Sequence, residues 1–164
     1  MANLRVDVSL RQATPDDEGF LLDLYASTRN EELAGLDWDE NQKRAFIRMQ
    51  FLARERSYPR SDDRIILMNG RPIGRMLVNR DDSAMLLTDI ALLTQYRNTG
   101  IGTGLIQNLM KEAAASAKPL HLHVLETSAA VRLYERLGFA KLGTEAAYLE
   151  MRWDPTALIK TPGS

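Results

Sequence analysis

Arg97 and the three alternating glycines Gly100, Gly102 and Gly104 are the residues whose types and spacing could do chemistry together. Glycine has no Cβ, so backbone built this way can turn tightly and come close to a ligand. The first N–H groups of a helix have no internal acceptor and lie at the positive end of its dipole. A glycine loop that opens a helix therefore suits a phosphate or pyrophosphate. Arg97 would add charge and a planar fork of donors beside it. The loop is not a Walker A sequence, because no Gly-Lys-Ser/Thr closes it. Nor is it the dinucleotide fingerprint, because Gly104 stands where the spacing of that motif is broken.

The elements around the loop would hold it in place. Ile90-Ala91-Leu92-Leu93 reads as the end of a buried strand, and residues 94–99 are a polar turn. Leu105, Ile106, Leu109 and Met110 recur at helical spacing, with Lys111 and Glu112 on the other face. The unit is strand, glycine loop, helix. Upstream, residues 4–10 alternate as a half-buried strand. Thr14-Pro15-Asp16-Asp17 starts a helix that ends near Asn30, and a second helix runs over residues 39–56. Strands over 64–68 and 72–79 flank Asn69-Gly70, a two-residue hairpin turn. After a turn at 80–83, the strand 84–93 enters the loop. Downstream, Lys118-Pro119 stops the central helix. A strand follows at 120–125, then a short helix over 128–137 with Gly138 as its left-handed cap, and a hairpin of 139–143 with 148–153. Residues 1–154 read as a single domain and 155–164 as a tail.

Composition narrows the function. The chain has 164 residues, enough for one domain with a proper core. Its net charge of −1 gives no basic field for nucleic acid. It has no cysteine, which excludes disulfides, thiolate chemistry and cysteine metal sites. Two histidines without ligand spacing leave little case for a metal. No apolar run is long enough for a signal peptide or a membrane span. A cytoplasmic location is the expectation, with no membrane or nucleic-acid partner.

Arg97-Asn98-Thr99-Gly100-Ile101-Gly102 resembles the acyl-CoA-binding signature of the GNAT superfamily of N-acetyltransferases, Gln/Arg-x-x-Gly-x-Gly/Ala. Roughly 35 residues later, Leu133-Tyr134-Glu135-Arg136-Leu137-Gly138-Phe139 is similar to that family's second signature, Leu-Tyr-x-x-x-Gly-Phe. The element order matches as well, so the resemblance covers nearly the whole chain. It implies a mixed α/β (α+β) GNAT fold: a central, mostly antiparallel twisted sheet of six to seven strands, flanked by four helices and splayed between the fourth and fifth strands. Acetyl-CoA is the implied cosubstrate, with no metal. Ile90, Ala91 and Leu92 would offer backbone to the pantetheine arm, and one N–H near Leu92 would hold the oxyanion. Arg97, Asn98, Thr99, Gly100, Ile101, Gly102 and Thr103 would take the pyrophosphate. Tyr134 matches the position of a phenol that protonates the leaving thiolate.

An acceptor amine arrives mostly as ammonium, since a lysine-like amine titrates near 10.4. A base must therefore remove a proton. Asp89 comes first, inside an otherwise apolar strand. Glu126 is second, and Glu31 and Glu32 are third. His121 and His123 share a strand face and read as a partly buried, hydrogen-bonded pair. Thr94 stands where the family often has proline, and Asn98 and Thr99 where it has glycine and a basic residue. Ser128 or Thr127 stands where a pantetheine-binding asparagine is common. The expected activity is N-acetylation of a primary amine by direct transfer in a ternary complex. The alternative is a GNAT-fold module that binds acyl-CoA without catalysis. The acceptor stays open among small molecules, peptides and proteins, and a late edge strand could pair across a homodimer.

Overall fold

A computed structural model of the protein describes residues 7–57 and 62–155, the side chains of Glu31 and Glu32 excepted. Among them are seven strands, four α-helices and two single-turn 3-10 helices. The strands are β1 (Val8–Gln12), β2 (Asp62–Met68), β3 (Arg71–Arg80), β4 (Met85–Leu92), β5 (Leu120–Leu125), β6 (Ala140–Glu145) and β7 (Tyr148–Trp153). The helices are α1 (Glu18–Leu33), α2 (Glu40–Ser57), α3 (Ile101–Ala115) and α4 (Ala130–Leu137). One mixed sheet has the order β1-β2-β3-β4-β5-β7-β6. Its β4–β5 pair is parallel, while β1–β2, β5–β7 and β6–β7 are antiparallel. The sheet has seven strands, within the six to seven expected, and the four expected helices are present.

Two compact units divide the chain: Met1–Met76 with Ile90–Arg97, and Leu77–Asp89 with Asn98–Ser164. In the first, Leu21, Leu24, Tyr25 and Leu33 of α1 meet Ile47 and Phe51 of α2 and Ile65 of β2. The i, i+3, i+4 spacing of these residues makes that face apolar. Thr14 and Asp17 form a capping box over the turn before α1. Arg11 makes a two-pronged ion pair with Asp17, at 2.8 Å for each prong. That pair and the Thr14 amide hold the Asp17 carboxyl well below the usual range. In β3, the buried Arg75 reaches Glu55 on α2 at 2.7 Å and Asp63 on β2 at 2.9 Å.

The second unit packs Leu105, Ile106, Leu109 and Ala113 of α3 with Leu120, Leu122, Met151 and Trp153 in its core. Gly138 caps α4 with φ 105°, and a Cβ there would sit 3.3 Å from the Trp153 ring.

The first strand lies further along than its alternation suggested. Residues 1–6 are outside the described part, and β1 runs Val8–Gln12 because its register against β2 pairs Val8 with Met68 and Gln12 with Arg64. Helix α1 continues past Asn30 to Leu33, whose side chain is buried in the core. The expected loop at 57–63 shrinks from its far end, since β2 begins at Asp62; residues 58–61 lie outside the described part, as does the expected tail beyond Pro155. Among the described residues, no helix is long and apolar enough to cross a membrane.

Candidate active site

The parallel β4–β5 ladder runs only from Met85↔Leu120 to Leu87↔Leu122. Beyond it, β5 stays paired with β7 as far as Leu125↔Tyr148, while β4 continues through Thr88 and Asp89 to Leu92. The pairing of these two strands, between which the splay was expected, therefore ends ahead of Thr88 and Asp89. The Thr88 hydroxyl is buried there with no hydrogen-bond partner among the described residues. Buried polar groups are nearly always satisfied, so an orphan marks a place for water or ligand.

The last residues of β4 are shaped by Gly74 of β3. A Cβ on Gly74 would lie 2.3 Å from the Ala91 carbonyl oxygen and 2.8 Å from Leu92 Cδ2. Only glycine lets β4 come that close. Just beyond, the Leu93 amide donates to the Ile73 carbonyl at 2.8 Å. An oxyanion donor near Leu92 thus has to be an amide other than that of Leu93.

The chain then makes the 3-10 turn Thr94–Tyr96. The Arg97 amide closes that turn onto the Thr94 carbonyl at 3.2 Å, so the run of amides expected from Arg97 onward begins after it. The side chain of Arg97 folds back, and its Nε donates to the Leu92 carbonyl at 3.0 Å. Asn98 has φ 59° and Gly100 φ 88°. Two left-handed residues this close together reverse the chain abruptly, and asparagine tolerates the conformation better than most residues. Gly100 is the N-cap of α3. The first amide bond inside α3 runs from Gly104 to the Gly100 carbonyl, at 3.0 Å. The amides of Ile101, Gly102 and Thr103 precede it and have no acceptor within the helix. A Cβ on Gly100 or Gly104 would meet no atom within 4 Å. The space beside these two glycines is open.

Tyr134 is buried on α4, with Phe139 edge-on to its ring at 5.7 Å between centroids. Burial raises its pKa above the usual value, and the negative charge of Asp89 raises it further. Two of the expected catalytic residues therefore act on each other, with the phenol kept protonated. Glu126 is exposed after β5, and its amide donates to the Ala147 carbonyl at 3.0 Å. Ser128 lies just before α4, its hydroxyl accepting from the Ala130 amide at 3.1 Å. Its O–H proton remains available to donate. His121 is half-buried, with Nδ1 3.6 Å from a Glu150 carboxylate oxygen, whereas His123 is exposed. The two histidines do not form a bonded pair. The side chains of Glu31 and Glu32 lie outside the described part.

Sequence reasoning passed over Gly74 and Thr88. A glycine inside a strand is a recognised sign of close backbone approach, so Gly74 left a usable signal. Thr88 left none.

Residues 61–141 match the acetyltransferase (GNAT) domain family. An N-alpha-acetyltransferase of Sulfurisphaera tokodaii is 41% identical over 59 residues, which make up 34% of this chain and only 35% of that protein. The fold is similar to that of the PaiA N-acetyltransferase from Thermoplasma acidophilum in complex with coenzyme A. There the TM-score is 0.67 at 17% identity, over 90% of this chain and 99% of that one. An acetyltransferase from Streptococcus agalactiae gives 0.61 at 20% identity, over 90% and 98%. Two signatures, a β4–β5 ladder that ends at Leu87 and a glycine loop at the head of α3 agree with these matches: residues 61–141 carry an acetyltransferase (GNAT) domain, and the chain has the fold of those acetyltransferases.

Proposed function

We propose that this protein moves the acetyl group of acetyl-CoA onto a primary amine by direct attack within a ternary complex. The observation that carries this reading is Tyr134, a phenol kept protonated by burial and by the charge of Asp89. A buried neutral phenol is suited to give a proton to a leaving thiolate. Asn98, Thr99, Gly100, Ile101, Gly102 and Thr103 would hold the diphosphate, and Arg97 would add charge at its edge. The backbone of Ile90, Ala91 and Leu92 would align the pantetheine arm, with Ser128 as a further hydroxyl contact.

Asp89 takes a proton from the acceptor ammonium, with Glu126 as the second candidate. The free amine then forms a C–N bond to the thioester carbonyl carbon. A β4 amide near Leu92 stabilises the negative oxygen. The base passes its first proton to solvent, collapse breaks the C–S bond, the nitrogen gives its second proton to the freed base, and Tyr134 protonates the sulfur. The products are an N-acetylated amine and coenzyme A, and Tyr134 recovers its proton from solvent. The chain has no cysteine, so no thiol of its own can carry the acetyl group.

Incubation with acetyl-CoA and a panel of polyamines, amino acids and peptides, read as free thiol release, tests the reading. Amine-dependent release is expected. Tight coenzyme binding with no release for any amine would overturn it.

A further inference from the structure

Helix α2 carries five cations, Lys43, Arg44, Arg48, Arg54 and Arg56, and they fall into two groups. Arg54 lies over the Tyr25 ring, 5.5 Å from its centroid, and Arg56 donates to the Leu52 carbonyl. The side chains of Lys43, Arg44 and Arg48 have neither a hydrogen-bond nor an ion-pair partner among the described residues. These three are also the ones that line an open cavity of about 670 Å³ between α1 and α2. That volume is within the usual range for small-molecule sites.

Apolar side chains make the floor: Leu22, Ala26 and Leu33 from α1, and Ile47 from α2. Leu33 and Ile47 are buried. The small side chain of Ala26 helps to leave the space unfilled. Asp23 and Glu40 also line the cavity, so among the described side chains three cations stand against two acids. Neither acid is within ion-pair distance of the three cations among the described residues. Helical spacing puts positions 44 and 48 one turn apart on the same face, so two guanidinium forks can converge on one carboxylate.

We propose that this groove binds a small organic carboxylate with an apolar body, its head on Arg44 and Arg48 and its tail on Leu22 and Ile47. The site lies outside the acetyl-transfer reading and does not depend on it.

The full chain, labelled with nitrogen-15, is titrated with octanoate, octanol, octylamine and inorganic phosphate, and amide shifts are followed by NMR. Octanoate is expected to give saturable shifts at Ala26 and Ile47, and each of the other three to bind at least about tenfold more weakly. The double variant Arg44→Ala/Arg48→Ala, altered only at exposed side chains, should weaken octanoate at least about tenfold with an unchanged melting temperature. Ala26→Leu should abolish binding by filling the floor. No saturable shift at millimolar octanoate would overturn the proposal. So would octanol, octylamine or phosphate binding as well as octanoate, or unchanged affinity in the arginine double variant.

Discussion

Gly74 and Gly104 lack the same side chain for opposite reasons. At Gly74, inside β3, an added Cβ would collide with the Ala91 carbonyl oxygen at 2.3 Å. The protein itself fills that space, and the glycine sets how close two strands can lie. At Gly104, the fourth residue of α3, an added Cβ would meet nothing within 4 Å. No left-handed backbone calls for glycine there either, since Gly104 is absent from the positive-φ residues. Glycine in a helix is about 1 kcal/mol less favourable than alanine. Here the cost leaves open space beside the start of α3, behind the glycine loop. The first glycine belongs to the fold; we propose that the second makes room for the coenzyme.

The largest expected effect is on the closed side. Gly74→Ala should destabilise the protein by about 3 kcal/mol, the upper range for overpacking, because the clash is with backbone that cannot rotate away. Urea unfolding measures it. A loss below about 1 kcal/mol would mean the strands can part cheaply and that Gly74 does not shape the end of β4.

Tyr134 tests the middle ground, being closed in by protein yet assigned to the reaction. Tyr134→Phe should lower kcat at least about tenfold, or about 1.4 kcal/mol, with coenzyme affinity and melting temperature nearly unchanged. The pH profile sharpens this. The useful form is the protonated one, and its pKa is raised by burial first and by Asp89 second. The donor is therefore fully present below about pH 10, the ordinary tyrosine value, and is lost only as pH rises through the higher folded value. An alkaline fall in kcat should appear above pH 10 in the parent and be missing in the phenylalanine variant. A parent profile that falls near neutrality, and does so equally in the variant, would remove Tyr134 as the acid.

The same contrast explains what could be read from the chain alone. Local chemistry was legible. Asn69-Gly70 takes positive φ at both residues, as a hairpin turn of that type requires, and Gly138 caps α4 as its position after Leu137 indicated. Asn98 adopts the left-handed backbone that its type allows. Of the four apolar residues expected on α3, Leu105, Ile106 and Leu109 are buried and Met110 is half-buried. What escaped was set by residues distant in the chain. The start of β1 is fixed by the pairing of Val8 with Met68, 60 residues on, a partner that local alternation does not see. The clash at Gly74 exists only once β4 lies against β3. Arg97 was read as a phosphate ligand from its type, while the bond from its Nε to the Leu92 carbonyl needs the turn between them to be built.

On the open side, Gly104→Ala should raise stability by about 1 kcal/mol, from helix propensity alone. The same substitution should weaken coenzyme A binding at least about tenfold by intruding on the approach to the helix start. Calorimetric titration and thermal melting read the two effects on one sample. A stabilised variant with parental affinity would show that the opening is not where the ligand lies.

The smallest effect is the one that makes the Gly104 result interpretable. Gly19, the second residue of α1, also has nothing within 4 Å of an added Cβ and no positive φ. Gly19→Ala should therefore stabilise the protein as well, by about 0.5 kcal/mol, since a first-turn residue gains less than one in the helix interior. No glycine loop or left-handed reversal leads into α1; its entry is the capping box at Thr14 and Asp17. Coenzyme affinity should stay within error of the parent. If Gly19→Ala weakened binding as Gly104→Ala does, the cause would be helix stiffening in general rather than a blocked approach. Open space beside a glycine would then say nothing about ligands in this protein.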